Sequence, residues 1–153
     1  EIIYKNLCID NLLNLSGNLW SLESLKALSN LSSKHKEDRY SIMKSDNWHK
    51  NTIESKIYCE KKGYNYDLIC SKNYLDFLSL LSNNRRFLFL PKTPETLSRV
   101  VVEAKMMNIA VTTNRNVGAT YEEWYIKQGL ELVNYMLDKR KQILNIIMKE
   151  RNA

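Results

Sequence analysis

The sequence predicts an α/β protein: a parallel sheet of about four to five strands with helices on both faces. Three observations carry this. From Tyr40 onward, strand-like and helix-like stretches alternate four times. The connections between them are short, as they are in doubly wound sheets. And "RFLFLP" and "IAVTTN" are continuous apolar runs, the pattern of strands buried on both faces. At 153 residues the chain is the size of one domain. It is 44% hydrophobic and 26% charged, which excludes a disordered tail.

The elements follow in order. A strand is expected near Asn6–Ile9. In "LWSLESLKALSNLSS", Ser21 caps a helix whose apolar face is Leu22, Leu25 and Leu28. "SKHKEDR" reads as a solvated connection, and Tyr40–Met43 as a short strand. "TIESKIYCEKKG" is a helix begun by Thr52, packing through Ile53, Ile57 and the Lys56/Cys59 region, and ended by Gly63. Tyr66–Ile69 is a strand, and "NYLDFLSLLSNN" a helix with Leu75, Leu78 and Leu81 inward. After "RFLFLP", Thr93 caps a helix with Pro94 at its first position, running to about Met107. Ile109–Asn114 is the next strand. Thr120 and Glu123 form a capping box that begins a C-terminal helical segment, which Gly129 bends. The stripe Leu132, Val133, Met136, Leu137, Ile143, Ile146 and Ile147 suits packing on the core, and the neighbouring "DKRKQ" leaves a peripheral membrane contact open.

A net charge of +6 favours anionic partners without choosing among them. Cys8, Cys59 and Cys70 are odd in number and far apart, with no zinc spacing, so they read as reduced, buried thiols of a cytoplasmic protein. No apolar run approaches the roughly 20 residues that span a bilayer. The start at Glu1 suggests processing or a fragment of a longer protein.

Ligands of open parallel sheets bind beyond the carboxyl ends of the strands. That rule selects Lys44 to Lys50 after the first strand, Cys70 to Lys72 after the second, Lys92, Thr93 and Glu95 after the third, and Asn114 to Gly118 after the fourth. Cations, amides and helix N-termini suit a phosphate or diphosphate. Trp48 either stacks on a base or covers the sheet edge, and His49 and His35 read as solvated. Glu103 is a carboxylate among Val100, Val101, Val102 and Ala104, a costly position unless it is paired. Either Arg99 pairs with it at i, i+4 or it accepts hydrogen bonds from ligand hydroxyls.

The stretch "FLFLPKTPETLSRVVVEAKMMNIAVTTNRNVGA" resembles the donor-binding half of retaining, nucleotide-sugar-dependent glycosyltransferases of the GT-B fold. The shared features are a strand ending in a proline loop, a glutamate, seven residues, a second glutamate followed by alanine, then a strand and a glycine loop. The resemblance implies a Rossmann-like domain in which Glu95 faces the donor sugar and Glu103 the ribose. It implies that Lys44 and Lys50 neutralise the diphosphate, Lys50 and Glu95 being the catalytic pair, while Lys92, Thr93, Asn116, Val117 and Gly118 line the donor site. No metal or other cofactor is implied. The sequence departs from the family's pattern in having Thr96, Leu97 and Ser98 where glycines are usual, and "KN" where lysine-glycine is usual.

The resulting division is 1–39 as a strand and helix linked to, or left from, an N-terminal acceptor domain, 40–129 as the nucleotide-sugar domain, and 130–153 as a C-terminal helix. The partners expected are a nucleotide sugar, an unidentified acceptor and a second domain or chain. The rival reading is a non-catalytic Rossmann-like module for an anionic or protein partner. Two carboxylates at the centre of the binding edge argue against nucleic acid.

Overall fold

The computed structural model describes residues 13–151, so the strand expected near Asn6–Ile9 lies outside the described residues. Twelve elements follow: α1 Leu22–Ser32, β1 Glu37–Met43, a 3-10 turn Trp48–Lys50, α2 Thr52–Lys62, β2 Tyr66–Ile69, α3 Tyr74–Leu81, β3 Asn84–Phe89, α4 Arg99–Met106, β4 Ala110–Thr113, 3-10 turns Gly118–Tyr121 and Glu123–Ile126, and α5 Gly129–Arg151. The strands form one sheet in the order β2-β1-β3-β4, every pair parallel. The fold is α/β and Rossmann-like, as the alternation and the apolar runs predict.

Alternation along β3 divides the core. Phe87 and Phe89 face a large cluster with Leu25, Leu28, Leu78, Leu81 and Met136, contributed by α1, α3 and α5. Leu88 faces the other way, onto Tyr40, Ile42 and Cys59 beneath α2. Helices therefore cover both faces, with α2 alone on the thinner side. The C-terminal stripe packs on the core as expected, with Leu132, Met136 and Ile143 almost fully buried, although Ile147 is exposed.

Several sequence expectations are corrected. β1 begins at Glu37, so "EDR" is strand; Arg39 is held there by a two-pronged pair with Asp67 of β2 at 2.6 and 3.0 Å. In α2 the inward residues are Ser55 and Cys59, and Ile53 is 72% exposed. Leu22 and Leu75 also point outward, although Leu25, Leu28, Leu78 and Leu81 are buried. Cys70 is exposed, not buried. Thr93 and Pro94 do not open a helix. α4 starts only at Arg99, because Glu95 first pairs with Val117 as an isolated bridge that keeps the chain extended. Thr120 donates its hydroxyl to Val117 O at 2.7 Å instead of capping Glu123, and two 3-10 turns occupy the expected start of the C-terminal helix. Gly129 does not bend α5 but opens it, with φ +54°. Among the described residues, no helix is long and apolar enough to cross a membrane.

Candidate functional site

In the order β2-β1-β3-β4 the chain runs outward in one direction from β1 to β2 and in the other through β3 and β4. The crevice between the carboxyl ends of β1 and β3 is therefore the topological switch point, where such sheets bind ligands. Two loops meet there. The β1 loop folds as a short 3-10 turn because Asn47 caps it, accepting from the His49 N–H at 3.0 Å, and Asn51 ends it in the left-handed region at φ 58°. The β3 loop carries Pro91 to Ser98.

Four contacts join them. Asn51 donates to Leu90 O at 2.7 Å, and the Lys92 N–H to His49 O at 2.9 Å. His49 Nδ1 and Thr93 Oγ1 lie 2.9 Å apart, and Lys50 Nζ lies 2.6 Å from Glu95 Oε1. The β4 loop is tied in as well. The Glu95 N–H donates to Asn116 O at 2.7 Å, the Gly118 N–H to Glu95 O at 2.8 Å, and Asn114 and Asn116 both donate to Pro91 O. Three strand ends are thus held in one pre-organised edge.

Beside this junction, toward β2, lies a cleft of about 440 Å³ lined by Lys44, Asp46, Trp48, Lys56, Leu68 and Lys92. Three ammonium groups face one carboxylate. Trp48 is 61% exposed, with its ring stacked on His49 at 4.1 Å, so it covers little of the sheet and leaves a face for a planar group. Of the residues selected from sequence, Lys44 to Trp48 and Lys92 line this cleft. Lys50, Thr93, Glu95, Asn116, Val117 and Gly118 belong to the junction next to it. Lys56 was read only as part of a packing face. Its signal was its place one turn beyond Thr52 on α2.

Glu103 stands apart. Its side chain is only 5% exposed, and its Oε1 accepts from Trp20 Nε1 at 2.9 Å, from the Tyr74 hydroxyl at 2.9 Å and from Arg99 at 3.4 Å. None of these donors comes from the β1 or β3 loops. Its Oε2 takes no hydrogen bond from a described residue. The pairing with Arg99 exists, but it is the longest of the three contacts and half exposed. Nothing local in the sequence marks Trp20, which is 83 residues away.

Burial, then the Glu103 charge and hydrogen bond, push the Tyr74 phenol from 10.0 up to about 12. A raised folded-state value means that its contribution to stability is complete below pH 10.0 and disappears as the pH rises to about 12. The stability advantage of wild type over Tyr74→Phe should therefore shrink across that window in urea titrations at alkaline pH. An advantage constant with pH would show that the phenol titrates normally.

No protein-family model, curated protein or solved structure matches this chain. No group of His, Cys, Asp and Glu among the described residues is arranged to hold a metal ion.

Proposed function

We propose that the chain is the nucleotide-sugar-binding domain of a GT-B-like retaining glycosyltransferase. The observation that carries this reading is the lysine-lined cleft with an open tryptophan face beside the switch point of a parallel sheet. Lys44, Lys56 and Lys92 would take the diphosphate and Trp48 the base. Lys50 and Glu95 sit next to it, where the sugar end of a donor would lie. The developing charge of a nucleoside diphosphate leaving group needs cations placed in advance, and Lys50 meets that need once Glu95 turns to the sugar. Glu103 lies on α4, across the sheet from the α2-side cleft, so this placement of base and diphosphate makes no use of it. Transfer to an acceptor, which remains unidentified, requires a second domain or chain closing over this edge.

One observation favours the rival reading, a non-catalytic module for an anionic partner. Lys50 and Glu95 neutralise each other, and Glu103 is engaged by the protein's own donors.

Calorimetric titration with UDP, GDP and their sugars separates the outcomes. Binding should weaken at least tenfold, about 1.4 kcal/mol, in Lys44→Gln/Lys92→Gln. Absence of any nucleotide binding, or an unchanged affinity in that variant, overturns the reading. Glu95→Gln frees Lys50, so affinity for the bare nucleoside diphosphate should rise roughly two- to fivefold, the worth of a partly exposed ion pair. If Glu95 faces the sugar, affinity for the full nucleotide sugar should not gain in the same way.

A further inference from the structure

The opposite edge of the sheet carries a second cleft. It has a volume of about 420 Å³ and is lined by Lys34, His35, Lys36, Arg85 and Arg86, with no carboxylate in its wall. These residues lie at the amino ends of β1 and β3, so the strands separate this cleft from the switch point. By its sequence "SKHKEDR" is a solvated connection, and the proposed function makes no use of it.

The lysines are held in place by the fold. Lys36 is only 8% exposed and donates to Leu31 O, Ser32 O and Lys34 O, at the end of α1. Lys34 reaches Ser79 O, Ser82 Oγ and Asn83 Oδ1 at the end of α3. Helix C-termini attract cations, which accounts for where these ammonium groups sit. It does not cancel their charge. Burial, and then the Lys34 charge, push the Lys36 ammonium below its usual value.

Of the two arginines, Arg85 is the group with capacity to spare. Arg85 uses Nε on Lys36 O, and its two terminal nitrogens have no partner among the described residues. Arg86 gives Nη1 to Asp38 and lies 5.7 Å over the Tyr40 ring, which fixes its plane. The nearby carboxylates, Glu37 and Asp38, are on β1 and face His35 and Arg86 respectively. The Asn108 and Gln128 amides complete the wall with neutral donors.

We propose that this amino-edge cleft binds a multiply charged phosphate, as a free polyphosphate or as a phosphorylated lipid headgroup. The planar Arg85 fork matches a pair of phosphate oxygens, and Arg86, paired with Asp38, adds a second guanidinium at the rim. The two capped lysines supply fixed positive charge behind them. The volume is that of a small-molecule site.

The test uses Lys44→Gln/Lys92→Gln protein as background, so that loss of the switch-point site and loss of this one are read separately. Inorganic tripolyphosphate is titrated at low salt, and vesicles containing a phosphoinositide are used in a parallel sedimentation assay. Adding Arg85→Gln/Arg86→Gln should weaken binding at least tenfold. Gln128→Glu, an exposed change that removes no packing, should weaken it roughly three- to tenfold by setting one carboxylate in the wall. Binding of the polyphosphate assigns a solution ligand, binding of the vesicles alone assigns a headgroup, and either supports the site if it falls in these variants. Failure of both probes, or affinity that Gln128→Glu leaves unchanged, overturns the proposal.

Discussion

Replacing Glu103 by alanine should lower the melting temperature by about 10 °C. The change strands one buried donor, Trp20 Nε1, and one half-buried donor, the Tyr74 hydroxyl, each 2.9 Å from the lost oxygen. An orphaned buried donor costs roughly 1–3 kcal/mol, and the vacated volume adds to that. At roughly 2–4 °C per kcal/mol for a chain of this length, the sum gives the stated shift. Glu103→Gln keeps an acceptor oxygen for both donors and should lose only about 1 kcal/mol. Arg99→Ala should lose less than that, because its guanidinium is 47% exposed and its contact with Glu103 is 3.4 Å long. If Arg99→Ala were as damaging as Glu103→Ala, the i, i+4 pair would be the dominant partner after all. The Gln variant carries the functional question as well. It is stable enough to titrate, so any fall in nucleotide affinity beyond its small loss of stability would report a ribose contact at Oε2.

The history of Glu103 shows what the sequence could and could not yield. That a carboxylate among valines needs a partner follows from solvation alone, and so does the existence of a partner three or four residues away. Its stronger partners are an indole before α1 and a phenol at the start of α3, brought there by tertiary packing with no periodic signature. The parallel sheet was legible for the opposite reason. Unbroken apolar runs such as "RFLFLP" have only one good use, between two layers of helices.

Errors at element ends have a single physical form: a tertiary contact overrode a local preference. Thr93-Pro94 is a sound helix start by its own chemistry. It is overridden because the Glu95 backbone pairs across to Val117 and the helix must wait until Arg99. Ser98 then begins α4 from the left-handed region at φ 59°, with its hydroxyl buried and unpaired. Left-handed geometry in a residue other than glycine costs free energy. The carboxyl edge as the meeting place of the β1, β3 and β4 loops was likewise legible, since topology assigns it. Its subdivision into a lysine cleft and a hydrogen-bonded junction was not, because both parts draw on the same loops.

Replacing Gly118 by alanine should damage stability and nucleotide-sugar binding together. A β-carbon built there would lie 1.9 Å from Thr96 O, 2.8 Å from Thr96 C and 3.1 Å from Glu95 O. All three atoms are backbone, so no side chain can swing aside. The requirement is one of space, not of dihedral angle, since Gly118 is not among the residues with positive φ. The β3 and β4 loops would have to part, which breaks the Gly118 N–H to Glu95 O bond and shifts Glu95 relative to Lys50. Overpacking of this kind costs about 1–3 kcal/mol, and a displaced Glu95 should weaken nucleotide-sugar binding more than tenfold. Gly17→Ala is the matched control: its new carbon would meet only side-chain atoms at 3.6 and 3.7 Å, and its melting temperature should change little. Gly63→Ala supplies a second contrast. It has open space but φ +68°, so it should lose about 1 kcal/mol of stability with no effect on binding. Only if Gly118→Ala alone couples the two losses is the contact between the β3 and β4 loops what holds the switch-point edge in its binding form. Wild-type affinity in that variant would free the junction of any part in ligand capture and leave the lysine cleft to act alone.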